Sequence, residues 1–357
     1  MIRAAIVKQF APGPESAAFQ LDIDFEARPG VTVLYGPSGS GKTLTLDAIA
    51  GFVSPDSGRI LLDDRILFDA ESGVNLAPRR RTCGYVFQNY ALFPHMTLRE
   101  NLAFAAHSLP RLERHRRIAE HLERFKLTAM AGRYPHELSG GQKQRGSIAR
   151  ALIADPRLIL LDEPARGLDA ALRADLYELI QGLRGTLSVP ILLVTHDLEE
   201  CFALAERVLI YDSGRIVYRG APLDLLRNPG TAAVANLLGG FTLFDAEVIS
   251  LDPARQTSRV LLLGEEIAGP HLPGCFKGDK IAVCARPEDL RIATRPGGNR
   301  IPARLRRTID RPQCVRAEFD HRLTVDVPRD LWRSLEHEGK SSGWWIEIPP
   351  ESLRPLK

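Results

Sequence analysis

Near the start of the chain, apolar residues recur at every second position. Leu21, Ile23 and Phe25 alternate with Asp22 and Asp24, which predicts a half-buried strand over residues 19–25. Residues 7–10 read as a strand before it, and the Ala-Pro-Gly-Pro-Glu run at 11–15 reads as a turn. The pattern then changes. Residues 31–35, 158–161 and 189–195 are close to unbroken apolar runs, the pattern of parallel strands covered on both faces. A turn at 54–58 leads into a strand at 59–63, and 83–88 is a short apolar strand ending in a glutamine. Residues 44–50 have the apolar spacing of a helix, and a second helix is expected over 143–154. From 98 to about 133 the periodicity is helical and the surface basic, with Leu112, Ile118, Ala119, Leu122 and Phe125 sharing one face. This region reads as a helical subdomain inserted into an α/β core.

Past Asn228-Pro229-Gly230, with a further break at 237–240, short β runs replace the helical pattern. They cover 245–251, 258–263, 279–284, 315–319, 323–327 and 344–348, punctuated by glycine and proline. That predicts a small all-β barrel or sandwich over 240–357, behind an α/β domain over 1–235.

Composition adds little to this division. A chain of 357 residues is long enough for two cores, and 44% hydrophobic with 25% charged residues is ordinary for a soluble protein. A net charge of +3 does not argue for nucleic acid, and the arginines at 79–81 and 111–117 read as solvated surface. No run approaches the roughly 18 to 20 apolar residues of a membrane span. The N-terminus also lacks the apolar core of a signal peptide, so a membrane role is expected only through a partner. Cys83, Cys201, Cys275, Cys284 and Cys314 form no C-x-x-C pair, which suits free thiols in a reducing cytoplasm.

The chemistry centres on Gly36-Pro37-Ser38-Gly39-Ser40-Gly41-Lys42-Thr43, set between the strand at 31–35 and the helix at 44–50. Its three glycines let backbone N–H groups turn toward phosphate oxygens, and the following helix offers its positive end. Lys42 is expected on the β- and γ-phosphates of a bound nucleotide and Thr43 on Mg²⁺. Gln88, past a strand end, is placed to coordinate Mg²⁺ or orient water; taken alone it also fits a surface residue. Asp162 and Glu163 close the run at 158–161, Asp162 for Mg²⁺ and Glu163 as base for water. His196 follows the run at 189–195 and is a candidate contact to the γ-phosphate. Phe10 is a candidate to stack on adenine and reads equally as a core phenylalanine. Leu138-Ser139-Gly140-Gly141-Gln142 opens the helix at 143–154 and offers a second anion seat. One nucleotide does not need two cradles, so a second copy of the chain is expected to complete the site.

These segments, with Gly167-Leu168-Asp169, resemble the Walker A, Q-loop, signature, Walker B, D-loop and switch histidine of ABC-transporter ATPases. The resemblance covers roughly residues 1–235. It implies an α/β P-loop NTPase domain with an inserted helical subdomain. ATP is then sandwiched in a homodimer, with Ser139, Gly140, Gly141 and Gln142 completing the partner's site. Two residues depart from the family pattern. Arg166 stands where many relatives have a small polar residue, and Gly146 stands inside a helix at a cost of about 1 kcal/mol relative to alanine. The Arg-Pro-Glu-Asp run at 286–289 is similar to the OB-like (TOBE-type) accessory domains of importer ATPases. An importer subunit works with integral-membrane permeases at the cytoplasmic face of the inner membrane, and indirectly with an extracytoplasmic solute-binding protein. Residues 25–31, 65–71 and 78–82 are similar to molybdate-importer ATPases, so molybdate or a related oxyanion is the expected cargo. Sulfate, polyamine, iron and sugar importers are the alternatives. A soluble ABC ATPase acting on nucleic acid or ribosomes is the reading outside that class. The interleaved acidic residues of the β region and the lack of sustained heptads count against it.

Overall fold

Six strands form the sheet that carries the site, in the order Arg215–Gly220, Arg207–Asp212, Gly30–Tyr35, Pro190–Thr195, Leu158–Asp162 and Cys83–Val86. Pairing is parallel from Arg207–Asp212 across to Cys83–Val86, and only the outer strand Arg215–Gly220 runs antiparallel. Every residue of Leu158–Asp162 and Pro190–Thr195 is buried, which accounts for their unbroken apolar runs. The computed structural model describes residues 1–12 and 17–356, in two units, Met1–Leu223 and Asp224–Lys357.

The first unit adds an antiparallel sheet in the order Phe19–Ala27, Ile2–Phe10, Ser57–Leu62, Arg65–Asp69 and Val74–Asn75. Its inward positions, among them Ile6, Leu21, Ile23 and Phe25, share one core with Leu46 and Ile49 of the Lys42–Ala50 helix and with Leu160 and Leu192. The turn expected at 11–15 falls partly on residues 13–15, which lie outside the described residues.

The arginine run at 79–81 is not uniformly surface. Arg79 and Arg80 are exposed, but Arg81 is fully buried. Its Nη1 donates to the carbonyls of Ala48 (2.8 Å) and Ile49 (2.9 Å), its Nε to Leu76 and its Nη2 to Asn75. The guanidinium thus satisfies the last carbonyls of the Lys42–Ala50 helix, which have no partner within the helix itself. The helical insert comprises Leu98–Ala105 and Arg111–Arg124, with Leu102, Ile118, Leu122 and Phe125 buried. Leu112, expected on that face, is 87% exposed, and Ala119 is exposed as well.

The second unit begins earlier than the expected boundary at 235: Ala235 packs with Cys284 and Leu356 rather than with the first core. It holds a five-stranded antiparallel sheet, Glu265–Pro270, Thr257–Leu262, Thr242–Asp252, Lys280–Ala285 and Arg354–Leu356, and two three-stranded sheets. One core joins all three. A helix, Arg329–Ser342, adds to this β architecture, stacking Trp332 on Trp344 with ring centroids 5.5 Å apart.

Candidate nucleotide site

The loop from Gly36 to Thr43 leaves the carboxyl end of Gly30–Tyr35 and turns on backbone that side chains rarely adopt. Gly39 has φ 79° and Gly41 φ 101°. A Cβ on Gly36 would lie 2.3 Å from the Tyr211 carbonyl oxygen, and one on Gly41 would lie 2.7 Å from Leu21. Gly41 caps the Lys42–Ala50 helix without a side-chain bond, so the positive end of that helix opens onto the loop. Lys42 is 5% exposed and folds back over its own loop, donating to the carbonyls of Gly36 (2.8 Å) and Pro37 (2.7 Å). Burial pulls its ammonium below the ordinary value, with Glu163 and Asp162 opposing.

Thr43 is the next residue, and its Oγ1 donates to Asp162 Oδ1 at 3.0 Å. The sheet brings these two together across 119 positions of sequence. Asp162 is 5% exposed, and burial pushes its carboxyl up against the opposing bond from Thr43. A hydroxyl and a carboxylate oxygen beside a phosphate loop suit Mg²⁺, which takes few protein ligands and completes its shell with phosphates and water. Among the described residues no group of three or more His, Cys, Asp or Glu side chains converges as an all-protein cage would require.

Glu163 follows with φ 44°, left-handed for a residue that carries a side chain. Its N–H still pairs with the Val194 carbonyl (3.0 Å), so the carboxylate turns out of the sheet beside His196. His196 Nδ1 lies 3.1 Å from Glu163 Oε1, a contact that requires the ring proton on Nδ1. Arg166 Nη1 donates to Glu163 Oε2 at 2.9 Å. Gln88 lies against the same pair: with its amide oxygen toward the guanidinium, it accepts from Arg166 Nε at 3.2 Å and from Nη1. The structure therefore brings Lys42, Thr43 and Asp162 together, and joins Glu163, His196 and Gln88 in a second group. Among the described residues no hydrogen bond joins Gln88 to Thr43 or Asp162. Arg166, set aside in the sequence as a departure from pattern, is the unexpected member.

The Ser139–Gln142 loop stands apart from this cluster. Ser139 Oγ accepts from Gln142 N–H, and Gln142 Oε1 accepts from Ser139 N–H, a capping box on the Gly140–Leu152 helix. A Cβ on Gly141 would meet Leu172 at 2.7 Å. Phe10 is 41% exposed with the Lys8 ammonium 5.7 Å from its ring centre. Its cross-strand partner Phe19 borders the loop instead, its ring 3.3 Å from where a Gly41 Cβ would stand, and lines a groove of about 630 Å³ beside Gly39. The sequence held that signal only in the hairpin pairing.

The ABC transporter family model matches residues 21–166. A molybdenum import ATP-binding protein from Paramagnetospirillum magneticum is 39% identical over 280 residues, covering 78% of this chain and 76% of that protein. The chain belongs to the ABC-transporter ATP-binding subunits. Within them it is of the importer type, and such subunits are ATPases. A sulfate/thiosulfate import ATP-binding protein from Thermosynechococcus vestitus is 35% identical, covering 91% of this ATPase and 88% of the relative. A spermidine/putrescine import ATP-binding protein from Nitrosospira multiformis is 39% identical, covering 79% and 76%. A solved dimeric ATP-binding cassette, in a post-hydrolysis state bound to ADP and Pi, matches at TM-score 0.54 and 27% identity. That match covers 62% of this ATPase and 99% of the solved chain.

Proposed function

We propose that this importer ATPase hydrolyses ATP at a site made of its own Gly36–Thr43 loop, Asp162 and Glu163, closed by residues 139–142 of a second copy. One observation carries the reading: the Thr43–Asp162 bond, with Lys42 on one side and the Glu163–His196 pair on the other. Gly36, Ser38, Gly39, Ser40 and Gly41 present backbone N–H groups to the phosphates, while Pro37, which has no N–H, shapes the turn between them. Lys42 exchanges its two carbonyl partners for phosphate oxygens. Thr43 and Asp162 would hold Mg²⁺, with the Gln88 amide oxygen joining them once released from Arg166, and the ion would supply charge neutralisation on the phosphates. Glu163 takes the proton of the attacking water, and His196 fixes which of its oxygens is available. Phe19 is an alternative to Phe10 as the ring that meets adenine.

The ATPase is placed at the cytoplasmic face of the inner membrane, against integral-membrane permease subunits that receive solute from an extracytoplasmic binding protein. No helix of the described residues is long and apolar enough to cross a membrane. A nucleic-acid partner is not part of this reading. Molybdate or a related oxyanion is the proposed cargo, supported by relatives named for molybdenum and for sulfate/thiosulfate import. A polyamine is the second reading, favoured by an equally identical relative named for that cargo.

One experiment tests reaction and cargo together. In cells carrying the chain with its permease, wild type should raise molybdate uptake and leave spermidine uptake unchanged. The Glu163→Gln variant should abolish that uptake, keep ATP binding and lose hydrolysis by at least about 100-fold, the scale of a positioned base. Near-normal turnover in the variant removes Glu163 from its role; spermidine uptake in the wild type overturns the cargo.

A further inference from the structure

Both oxygens of the Glu163 carboxylate are engaged, Oε1 by His196 and Oε2 by Arg166. A base that must take a proton from water needs a free lone pair aimed at it, and each donor on the carboxylate occupies one and lowers its basicity. The Gln88 amide is held by the same guanidinium. One side chain thus ties together two of the groups assigned to the reaction. Arg166 is well placed for this. Its N–H bonds the Glu163 carbonyl at 3.1 Å, which fixes the turn, and Gly167 follows at φ 74°, which ends it. The Arg166 side chain is 58% exposed against 14% for Glu163, so the guanidinium reaches in from the surface while the carboxylate stays put. Among the described residues Arg166 pairs with no other acid. A planar guanidinium suits this double duty because its fork engages two acceptors at once. Such donors serve phosphate oxygens as readily as carboxylates, so an arriving triphosphate competes for the same cation.

We propose that Arg166 is a positioning residue: in the conformation observed, its guanidinium clamps Glu163 Oε2 and the Gln88 amide, and the clamp must open for hydrolysis. The clamp holds down turnover until phosphates and a second copy draw the cation away. This rests on the reading of Glu163 as the base.

The test uses the purified full-length chain with ATP and Mg²⁺. Arg166→Ala should raise kcat about fivefold, the upper scale for a partly exposed ion pair. Arg166→Lys keeps the charge but lacks the fork, so its kcat should lie between wild type and Arg166→Ala. The ratio of Arg166→Ala to wild-type kcat should fall toward one as NaCl rises from about 50 mM to about 500 mM, since salt screens an exposed pair. An unchanged or lower kcat in Arg166→Ala, or a ratio indifferent to salt, overturns the clamp. Glu163→Gln tested alongside keeps the two ideas apart. If it retains turnover, the base assignment fails; if it is inactive while Arg166→Ala matches wild type, only the clamp fails.

Discussion

Glu200 is 2% exposed in the first turn of the Leu198–Leu204 helix, and burial pushes its carboxyl up to about 7, with a hydrogen bond from Thr195 opposing. Folding therefore favours the protonated acid. Its contribution to stability is complete below the ordinary value of 4.5 and is lost as pH rises through about 7. Glu200→Gln, which cannot ionise, should melt at a nearly constant temperature between about pH 5 and about pH 8, where the wild type declines. Melting curves in that window decide it, and parallel decline in both proteins would mean that Glu200 titrates normally. The sequence at 198–201, Leu-Glu-Glu-Cys, does not announce which glutamate is buried. Arg81 illustrates the same difficulty: Arg79 and Arg80 are exposed, and only the buried, otherwise unpartnered carbonyls at the end of a helix remote in sequence explain why it goes inside. Motif residues were legible because the chemistry dictates both type and spacing. Arg166 was visible as an oddity, but its partners were not.

At the scale of elements, the Gly140–Leu152 helix does more than carry a glycine-rich start. Ser147 Oγ donates to the Tyr90 carbonyl (2.8 Å) and Arg150 to the Ala91 carbonyl (2.7 Å), so the segment after Gln88 hangs from this helix. Tyr90 and Ala91 both take left-handed backbone there. Gly146 finds its reason in the same packing, since a Cβ would meet Leu98 at 2.8 Å. Fully buried Asn101 then gathers the carbonyls of Phe93, Met96 and Thr97 and accepts from Phe93 N–H. Phe93 and Met96 remain only half-buried on this scaffold, with Phe104 edge-on to Phe93 at 4.8 Å and 52% exposed. We expect this surface to receive a permease helix. Replacing Phe93 and Met96 with Asp should abolish permease stimulation of ATP hydrolysis while leaving folding and ATP binding intact. Loss of the folded state would make the pair core, and normal coupling would move the docking site elsewhere. Strands with strict alternation or unbroken apolar runs were readable in advance. The Arg329–Ser342 helix was not, because among its described side chains only Trp332 is a large buried one, Leu335 is half-buried and Leu331 is half exposed.

For the molecule as a whole, the two glycine-rich loops decide what the functional unit is. Among the described residues no hydrogen bond joins the Ser139–Gln142 loop to the Gly36–Thr43 loop, and each opens its own helix. We expect a site that uses both to be completed by two chains. Lys42→Ala should weaken ATP binding by the monomer. Ser139→Arg should leave monomer binding within about twofold and block hydrolysis at concentrations where the wild type dimerises. Equal loss of monomer binding in both variants would put both loops in one site. The division into an α/β unit and a β-rich unit could be read from the change in apolar period. Its position could not, because residues 224–235 carry no signal of which core they join. The left-handed backbone of Glu163 has a consequence for how this protein ages under selection. Glycine and asparagine relax there, whereas glutamate holds strain of about 1 to 3 kcal/mol. Breeding for heat resistance alone would therefore favour replacing the carboxylate we propose as the base, and the proposal then predicts a sturdier protein that no longer turns over ATP.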